Sequence, residues 1–304
     1  MFLSERASMQ RRTGISGGIT TRRSLGITLA LTSAILFSTA GIFTKSVAAD
    51  ALSVIFWRGI FGGVAGLTLL FITRRFWHEL AAMRGVGWVL ALINASGTIA
   101  FISSFKLTSV ANVTLVWSTV PILGGLIGWV WFGERVSLAF FASCLLVFIG
   151  VFFLFGADIA SLDLASGSLV GSLLAFWMTL MMALLMAVYR RYPDAPTTMP
   201  GAMASLMLMI IALIWTRPLA IAPAEIGILA GFGVIFYAAS LTIAIGSKYI
   251  APGEAGLLSV VETPSAILLA LLILHEVPGV NTLIGGSIIL AAVLFHHMHT
   301  HTRR

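Results

Sequence analysis

The sequence predicts an all-α integral membrane protein in which ten transmembrane helices form two five-helix repeats of opposite orientation. Three observations lead to this class: the composition, the spacing of the apolar runs, and a resemblance between the two halves of the chain. Of the 304 residues, 59% are hydrophobic and only 10% are charged, and the mean hydropathy is +1.04. Water-soluble globular proteins carry about 25% charged residues, so this composition excludes that class.

The apolar runs divide the chain into ten segments joined by short connections. Each is close to the ~20 residues that a helix needs to cross a bilayer about 30 Å thick. The predicted spans are 25–45, 51–73, 85–105, 108–131, 136–156, 168–189, 199–216, 225–246, 252–274 and 279–298.

These spans group into two halves of five. The N-terminal arm is rich in arginine and has no cleavage site before a short apolar core, so we expect a retained arm rather than a signal peptide. An organellar presequence is the alternative for this arm. The expected domains are a basic cytoplasmic arm over 1–24, a first repeat over 25–156, a linker over 157–167, a second repeat over 168–298 and a cytoplasmic tail over 299–304.

The basic residues predict the orientation of the spans, because Lys and Arg concentrate in cytoplasmic loops. With the N-terminus in the cytoplasm, the cytoplasmic segments hold 14 of the 18 basic residues, and only Lys45, Lys106 and Arg217 fall outside. Arg58 alone lies within a span. We therefore expect both termini to be cytoplasmic. The net charge of +7 then reflects topology, and no nucleic-acid partner is expected.

The two halves resemble each other around a proline and a terminal glutamate. Segment 106–136 parallels segment 248–277, with 13 positions from proline to glutamate in the first and 12 in the second. The matching landmarks are Pro121 with Glu134 and Pro264 with Glu276. Because five spans per half is an odd number, the second half enters the membrane in the opposite direction, which makes an inverted repeat.

The combination of ten spans, Phe56-Trp57-Arg58 in the second span and the two proline-to-glutamate segments resembles the EamA type of the drug/metabolite transporter superfamily. The resemblance covers about residues 25–297. It implies two inverted halves around a central cavity and alternating access that moves small metabolites, often amino acids and often outward. The partners it implies are a small-molecule substrate, the lipid bilayer and H⁺ as a candidate coupling ion.

The location that follows is a bacterial-type cytoplasmic (inner) membrane, with the protein as a monomer or a homodimer. Two departures from the family pattern concern local geometry. The second repeat reads Glu-Thr-Pro where many members read Glu-Pro, and His275 replaces the usual glycine before the terminal glutamate.

Glu262 is the leading candidate site residue. It lies 14 residues from both Lys248 and Glu276, which places it roughly 20 Å along the helix from each end and near the bilayer midplane. A carboxylate there costs on the order of 3 kcal/mol, so a function is expected to offset it. We expect Glu262 to bind a substrate ammonium or to carry a proton. The alternative is a protonated side chain that bonds a neighbouring helix.

Arg58 is the second charged candidate, about 10 Å from the outer end of its span. Its guanidinium could extend outward to the interface. Alternatively it pairs with Glu262 or binds a substrate carboxylate through a bidentate contact. Together the two residues would suit the carboxylate and ammonium of an amino-acid-like zwitterion.

The remaining candidates are polar or aromatic residues near the middle of spans, for which interhelical bonding and core packing are the alternative roles. As substrate contacts they are Asn94, Asn112, Trp117, Ser118, Trp177, Tyr237 and Ser259. The candidates for gates or hinges are Pro121, Glu134, Pro264 and Glu276.

Motifs of other functional classes are missing from the sequence. It has no HExxH, no Ser-His-Asp arrangement and no Walker spacing. His297 and His301 are spaced as metal ligands on a helix, but a solvated tail is the ordinary reading of such a tract. We therefore expect no catalytic residue, no cofactor and no metal ion. A membrane-embedded enzyme, a channel or a structural membrane protein are the alternative classes.

Overall fold

The computed structural model describes residues 21–108, 110–134, 137–160, 168–215, 222–275 and 279–302. Within these segments the chain is helical and has no strand, which confirms the predicted all-α class. The helices in chain order are α1 (21–38), α2 (Ala40–Lys45), α3 (Ala51–Ile72), α4 (Phe76–Ala82), α5 (Trp88–Leu107), α6 (Val110–Trp117), α7 (Val120–Phe132), α8 (Leu138–Ala160), α9 (Ser168–Arg191), α10 (Thr198–Trp215), α11 (Pro223–Gly246), α12 (Pro252–Ser259), α13 (Glu262–Leu274) and α14 (Val280–Thr302).

Helical chain occupies the position of every predicted span. Six described stretches are long and apolar enough to cross a membrane: Leu52–Ile72, Phe76–Ser104, Val113–Phe132, Leu169–Arg191, Pro223–Gly246 and Pro252–Ile273. Three shorter apolar helices, Leu138–Phe153, Thr198–Ile214 and Leu283–His299, match the fifth, seventh and tenth predicted spans. Helices α1 and α2 together match the first.

The fourth and ninth predicted spans, 108–131 and 252–274, were expected to be continuous helices. In the structure, each is broken near its middle. Helix α6 ends before Ser118, and α12 ends before Val260. A proline follows each break at a short distance, Pro121 in α7 and Pro264 in α13. Proline lacks a backbone N–H, and its ring clashes with the carbonyl four residues earlier, so the helix cannot continue through that turn.

The ends of the same two spans share a backbone conformation. Gly133 follows α7 with φ +65°, and His275 follows α13 with φ +55°. A left-handed residue is the common way to end a helix, and glycine adopts it without steric cost. His275 thus takes the conformation of the glycine it replaces, at a cost of roughly 1–2 kcal/mol.

Helices α7 and α12 contact each other through backbone atoms. A Cβ atom added to Gly124 would lie 2.6 Å from the carbonyl oxygen of Pro252, and one added to Gly256 would lie 3.0 Å from the Cα of Pro121. Only glycine permits an approach this close. The fourth and ninth spans therefore contact each other through α7, which follows the break in the fourth span, and α12, which precedes the break in the ninth.

The substitution Gly124→Ala tests this contact. Its methyl group must displace the backbone of Pro252, so we expect a loss of about 1–3 kcal/mol in the free energy of unfolding. Thermal unfolding in detergent measures the loss. Gly227→Ala is the matched control, because a Cβ atom there meets nothing within 4 Å and alanine is the better helix former. Equal melting temperatures for the two variants would contradict the close contact.

Candidate functional site

A cavity of about 630 Å³ lies between helices from the predicted first and second halves. Helices α5, α6, α9, α11 and α13 supply most of its wall. The wall is mostly apolar, and its aromatic side chains are Phe37, Phe101, Trp117, Phe232 and Phe236. Ligand pockets commonly measure about 300–1,000 Å³, so this cavity accommodates a small organic molecule.

Glu262 is the one ionisable side chain among the described residues that line this cavity. It is the first residue of α13, directly after the break in the ninth span. The N-terminus of a helix carries a partial positive charge, which favours a carboxylate there. Among the described residues, no hydrogen bond or ion pair holds the Glu262 side chain, so the alternative of a bond to a neighbouring helix gains no support.

Arg58 lies on α3 and is only 4% exposed, so it does not extend outward to the interface. The carbon of its guanidinium lies 4.0 Å from the ring centre of Phe236 and 5.9 Å from that of Phe232. These cation–π contacts stabilise the buried charge. Its Nη1 atom has no hydrogen-bond partner in the part of the chain that the structure describes.

Arg58 lines a separate chamber of about 10 Å³, beside the main cavity. A volume of this size holds about one water molecule. The two spaces share four lining residues, Asn94, Thr98, Phe236 and Ser240. Arg58 and Glu262 therefore reach adjoining spaces rather than a single one.

Three other candidates reach these spaces. Asn94 and Trp117 line the main cavity, and the indole Nε1 of Trp117 is buried without a hydrogen-bond partner among the described residues. Tyr237 lines the small chamber, and its hydroxyl donates to the Thr198 carbonyl at 2.9 Å. That bond fixes the Tyr237 ring between α11 and the start of α10.

The other candidates lie elsewhere. The hydroxyl of Ser118 donates to the Leu115 carbonyl, and that of Ser259 donates to the Ala255 carbonyl. Both serines therefore bond within their own spans. Trp177 donates to the hydroxyl of Ser96 at 2.7 Å, is 45% exposed and is not among the cavity-lining residues. The side chain of Asn112 and the whole of Glu276 lie outside the described residues.

Sequence reasoning missed the apolar part of the cavity wall. Helix α9 contributes Met178, Met181, Met182 and Leu185, which share one helical face through spacings of three, four and seven. Helix α11 contributes a similar stripe that starts at Phe232. The spacing was visible in the sequence, but in a membrane helix the faces toward lipid and toward a cavity are equally apolar, so composition alone could not select it.

Charged residues lie near the end of the α7–α12 contact that is farther from the two breaks. Arg23 and Glu254 form an ion pair with 2.6 Å between Nη2 and Oε1, and their side chains are 14% and 13% exposed. Glu134, a predicted gate residue, lies within electrostatic reach of Arg190 and Glu254. Partial burial makes such contacts stronger than exposed surface pairs. The Arg23–Glu254 pair therefore joins the first span to the ninth at this end, whereas Glu134 and Glu254 repel each other between the fourth and ninth spans.

Comparison with known proteins agrees with this architecture. A family model described as the EamA-like transporter family matches residues 24–156. A solved crystal structure of a protein with 21% sequence identity superimposes with a TM-score of 0.77 and covers 92% of this chain and 99% of its own. At that identity the likeness is one of fold alone. No curated protein matches the chain.

The pH dependence of the protein's stability tests the environment of the Glu134 carboxyl. Burial raises the pKa of the Glu134 carboxyl above its ordinary value of 4.5, although Arg190 acts in the opposite direction. The folded protein therefore holds this proton more tightly than the unfolded chain, and stability is lost as the pH rises from 4.5 through the folded pKa. At pH 7 we expect Glu134→Gln to raise the apparent melting temperature by about 1–2 °C, after allowance for solvent screening.

The gain should disappear near pH 4, where the wild-type carboxyl is protonated in both states. Asp194→Asn is the control, since Asp194 is an exposed loop carboxylate. A Glu134→Gln variant less stable than the wild type at pH 7 would contradict the assignment.

Proposed function

We propose that this chain is a secondary carrier of small organic metabolites, because residues 24–156 match the EamA-like transporter family of the drug/metabolite transporter superfamily. The family is one of membrane transporters, so the protein is an integral membrane protein with a small-molecule substrate. We further propose that it exports amino-acid-like solutes by alternating access.

The observation that carries the proposal is the 630 Å³ cavity, in which Glu262 is the one charged residue among the described residues of the wall. A substrate ammonium or a proton would neutralise this carboxylate near the bilayer midplane, where an unpaired charge is costly. A membrane-embedded enzyme would need further catalytic groups that converge on the same point. None of the described lining residues offers a second ionisable group.

The two broken spans support an inverted repeat and alternating access. Each break lies before the proline of its repeat, and each span ends in a left-handed residue. In an inverted repeat, the contact of α7 with α12 at one end corresponds to a contact of α6 with α13 at the other end. Helices α6 and α13 instead line the cavity through Thr114, Trp117, Glu262 and Thr263. Closure of α6 on α13 would produce the opposite state.

The basic residues support an orientation for the cavity. By the positive-inside rule, the α7–α12 end would face the cytoplasm and the cavity would open outward. Importers and exporters both pass through an outward-open state, so the proposal of export across a bacterial-type inner membrane rests on the family resemblance. Glu262 then binds a substrate ammonium in one state and H⁺ in the other, or exchanges one for the other.

Cysteine labelling tests the outward-open state. In a Cys144→Ala background, which removes the buried native thiol, we expect Thr263→Cys in the cavity wall to react with a membrane-impermeant thiol reagent added outside right-side-out vesicles. Ala255→Cys is the control, because Ala255 is fully buried beside α7. Labelling of Thr263→Cys only from the cytoplasmic side would contradict the assigned orientation.

Transport by proteoliposomes tests the function itself. We expect counter-flow of at least one solute in a screen of radiolabelled amino acids, and stimulation of uptake or efflux by an imposed pH gradient. Glu262→Gln should retain exchange while its response to the pH gradient falls about tenfold or more, because the amide cannot carry a proton. Asp194→Asn replaces an exposed carboxylate by an amide and should behave as the wild type. Unchanged pH dependence in Glu262→Gln would exclude Glu262 as the proton carrier.

A further inference from the structure

We propose that the chamber beside the main cavity is an anion subsite, in which Arg58 binds one oxygen of a substrate carboxylate. The inference rests on the proposed carrier function, because it assigns a substrate class to the same site. It differs from the bidentate contact expected from the sequence, since the chamber of about 10 Å³ admits one oxygen atom and not a whole carboxylate.

Arg58 carries a buried charge whose guanidinium has an unused hydrogen-bond donor. Its side chain is 4% exposed, and Nη1 lacks a hydrogen-bond partner among the described residues. A buried charge with an unused donor is costly unless a counter-charge or acceptor reaches it. The described residues that line the chamber include no carboxylate. An anionic ligand would therefore supply the missing partner.

The chamber is narrow, and polar side chains lie in its wall. Helices α3, α10 and α11 approach closely there, and a Cβ atom added to Gly59 would lie 2.7 Å from the carbonyl oxygen of Ser205. Ser205 and Ser240 bring hydroxyl-bearing side chains to the wall of the chamber that contains Arg58. Hydroxyl donors and a guanidinium are the groups that stabilise a carboxylate oxygen. Tyr237 donates its hydroxyl proton to the Thr198 carbonyl, so it shapes the wall and is not counted as a donor to the ligand.

The chamber adjoins the main cavity. The four residues shared by the two spaces, with Phe236 among them, form the boundary through which a ligand oxygen would pass. The rest of the ligand would then lie in the main cavity against Phe232, Phe236 and the methionines of α9. This arrangement favours an organic acid with a bulky apolar body. A carboxylate at Arg58 leaves Glu262 free for an ammonium group or a proton.

Matched acids and amides test the subsite. The probes are 3-phenylpropionate and 4-phenylbutyrate, each compared with its own amide, which has the same body and no charge. Dissociation constants are measured on the purified full-length protein in detergent, in chloride-free buffer. We expect the wild type to bind the acids about tenfold or more tightly than the amides.

Arg58→Met should abolish this preference by weakening the binding of the acids and leaving that of the amides unchanged. Arg58→Lys should retain part of the preference, because it keeps a positive charge with different geometry. Ser205→Ala, which alters only the chamber, should weaken acid binding severalfold and tests the subsite even if Arg58→Met fails to fold. Arg191→Met is the matched control, since it removes an exposed arginine.

Equal binding of acids and amides by the wild type, or no binding of either, would overturn the proposal. So would an acid preference that survives Arg58→Met and Ser205→Ala. Binding of chloride that depends on Arg58, without competition by the acids, would assign the chamber to an inorganic anion instead. Counter-flow measured in parallel separates the two proposals: transport without an acid preference removes only the subsite, whereas Arg58-dependent acid binding without counter-flow removes only the carrier.

Discussion

Inside a bilayer, a backbone amide or carbonyl that leaves its helix must find a partner in the protein or in a water-filled cavity. Pro121 and Pro264 leave such backbone groups without their usual helical hydrogen-bond partner near the middle of the fourth and ninth spans. Both breaks lie where protein surrounds them on one side and the cavity lies on the other. The two prolines thus determine where the spans touch and where polar atoms are available to a ligand. Lipid could not accept either break.

The charges of Glu262 and Arg58 are stabilised by different means. Glu262 starts a helix, so the helix dipole favours its carboxylate, and the cavity lets a ligand or water reach it. Arg58 is enclosed and relies on the faces of Phe232 and Phe236. The two side chains reach adjoining spaces rather than forming an ion pair. A zwitterion would therefore have to lie across the boundary between the spaces, with its acid group toward α3 and its amine toward α13.

The sequence predicted the spans well because apolar length is a strong and local signal. It also located Glu262, Asn94 and Trp117 in the cavity, since a polar or charged residue near the midplane of a span is rarely without a role. It did not predict the burial of Arg58, which depends on Phe236 from a distant helix. The methionines of α9 were missed for a different reason, because an apolar cavity wall and a lipid-facing surface have the same composition. Trp177 shows the converse: an aromatic residue near the middle of a span that does not line the cavity.

The position of the breaks determines which helices are free to move under the proposed mechanism. Helix α12 is held against α7 by glycine contacts and against α1 by the Arg23–Glu254 pair. Helix α13 begins after two non-helical residues, so its direction can change while α12 stays in place. A ligand shifts such an equilibrium only through a difference in affinity between the two states. Glu262 is the first residue of α13 and lines the cavity, so neutralisation of its charge would act directly at the break between α12 and α13. In the proposed repeat, Thr119 occupies the corresponding position of the first half and carries no charge that a ligand could neutralise, so the proposed mechanism is asymmetric.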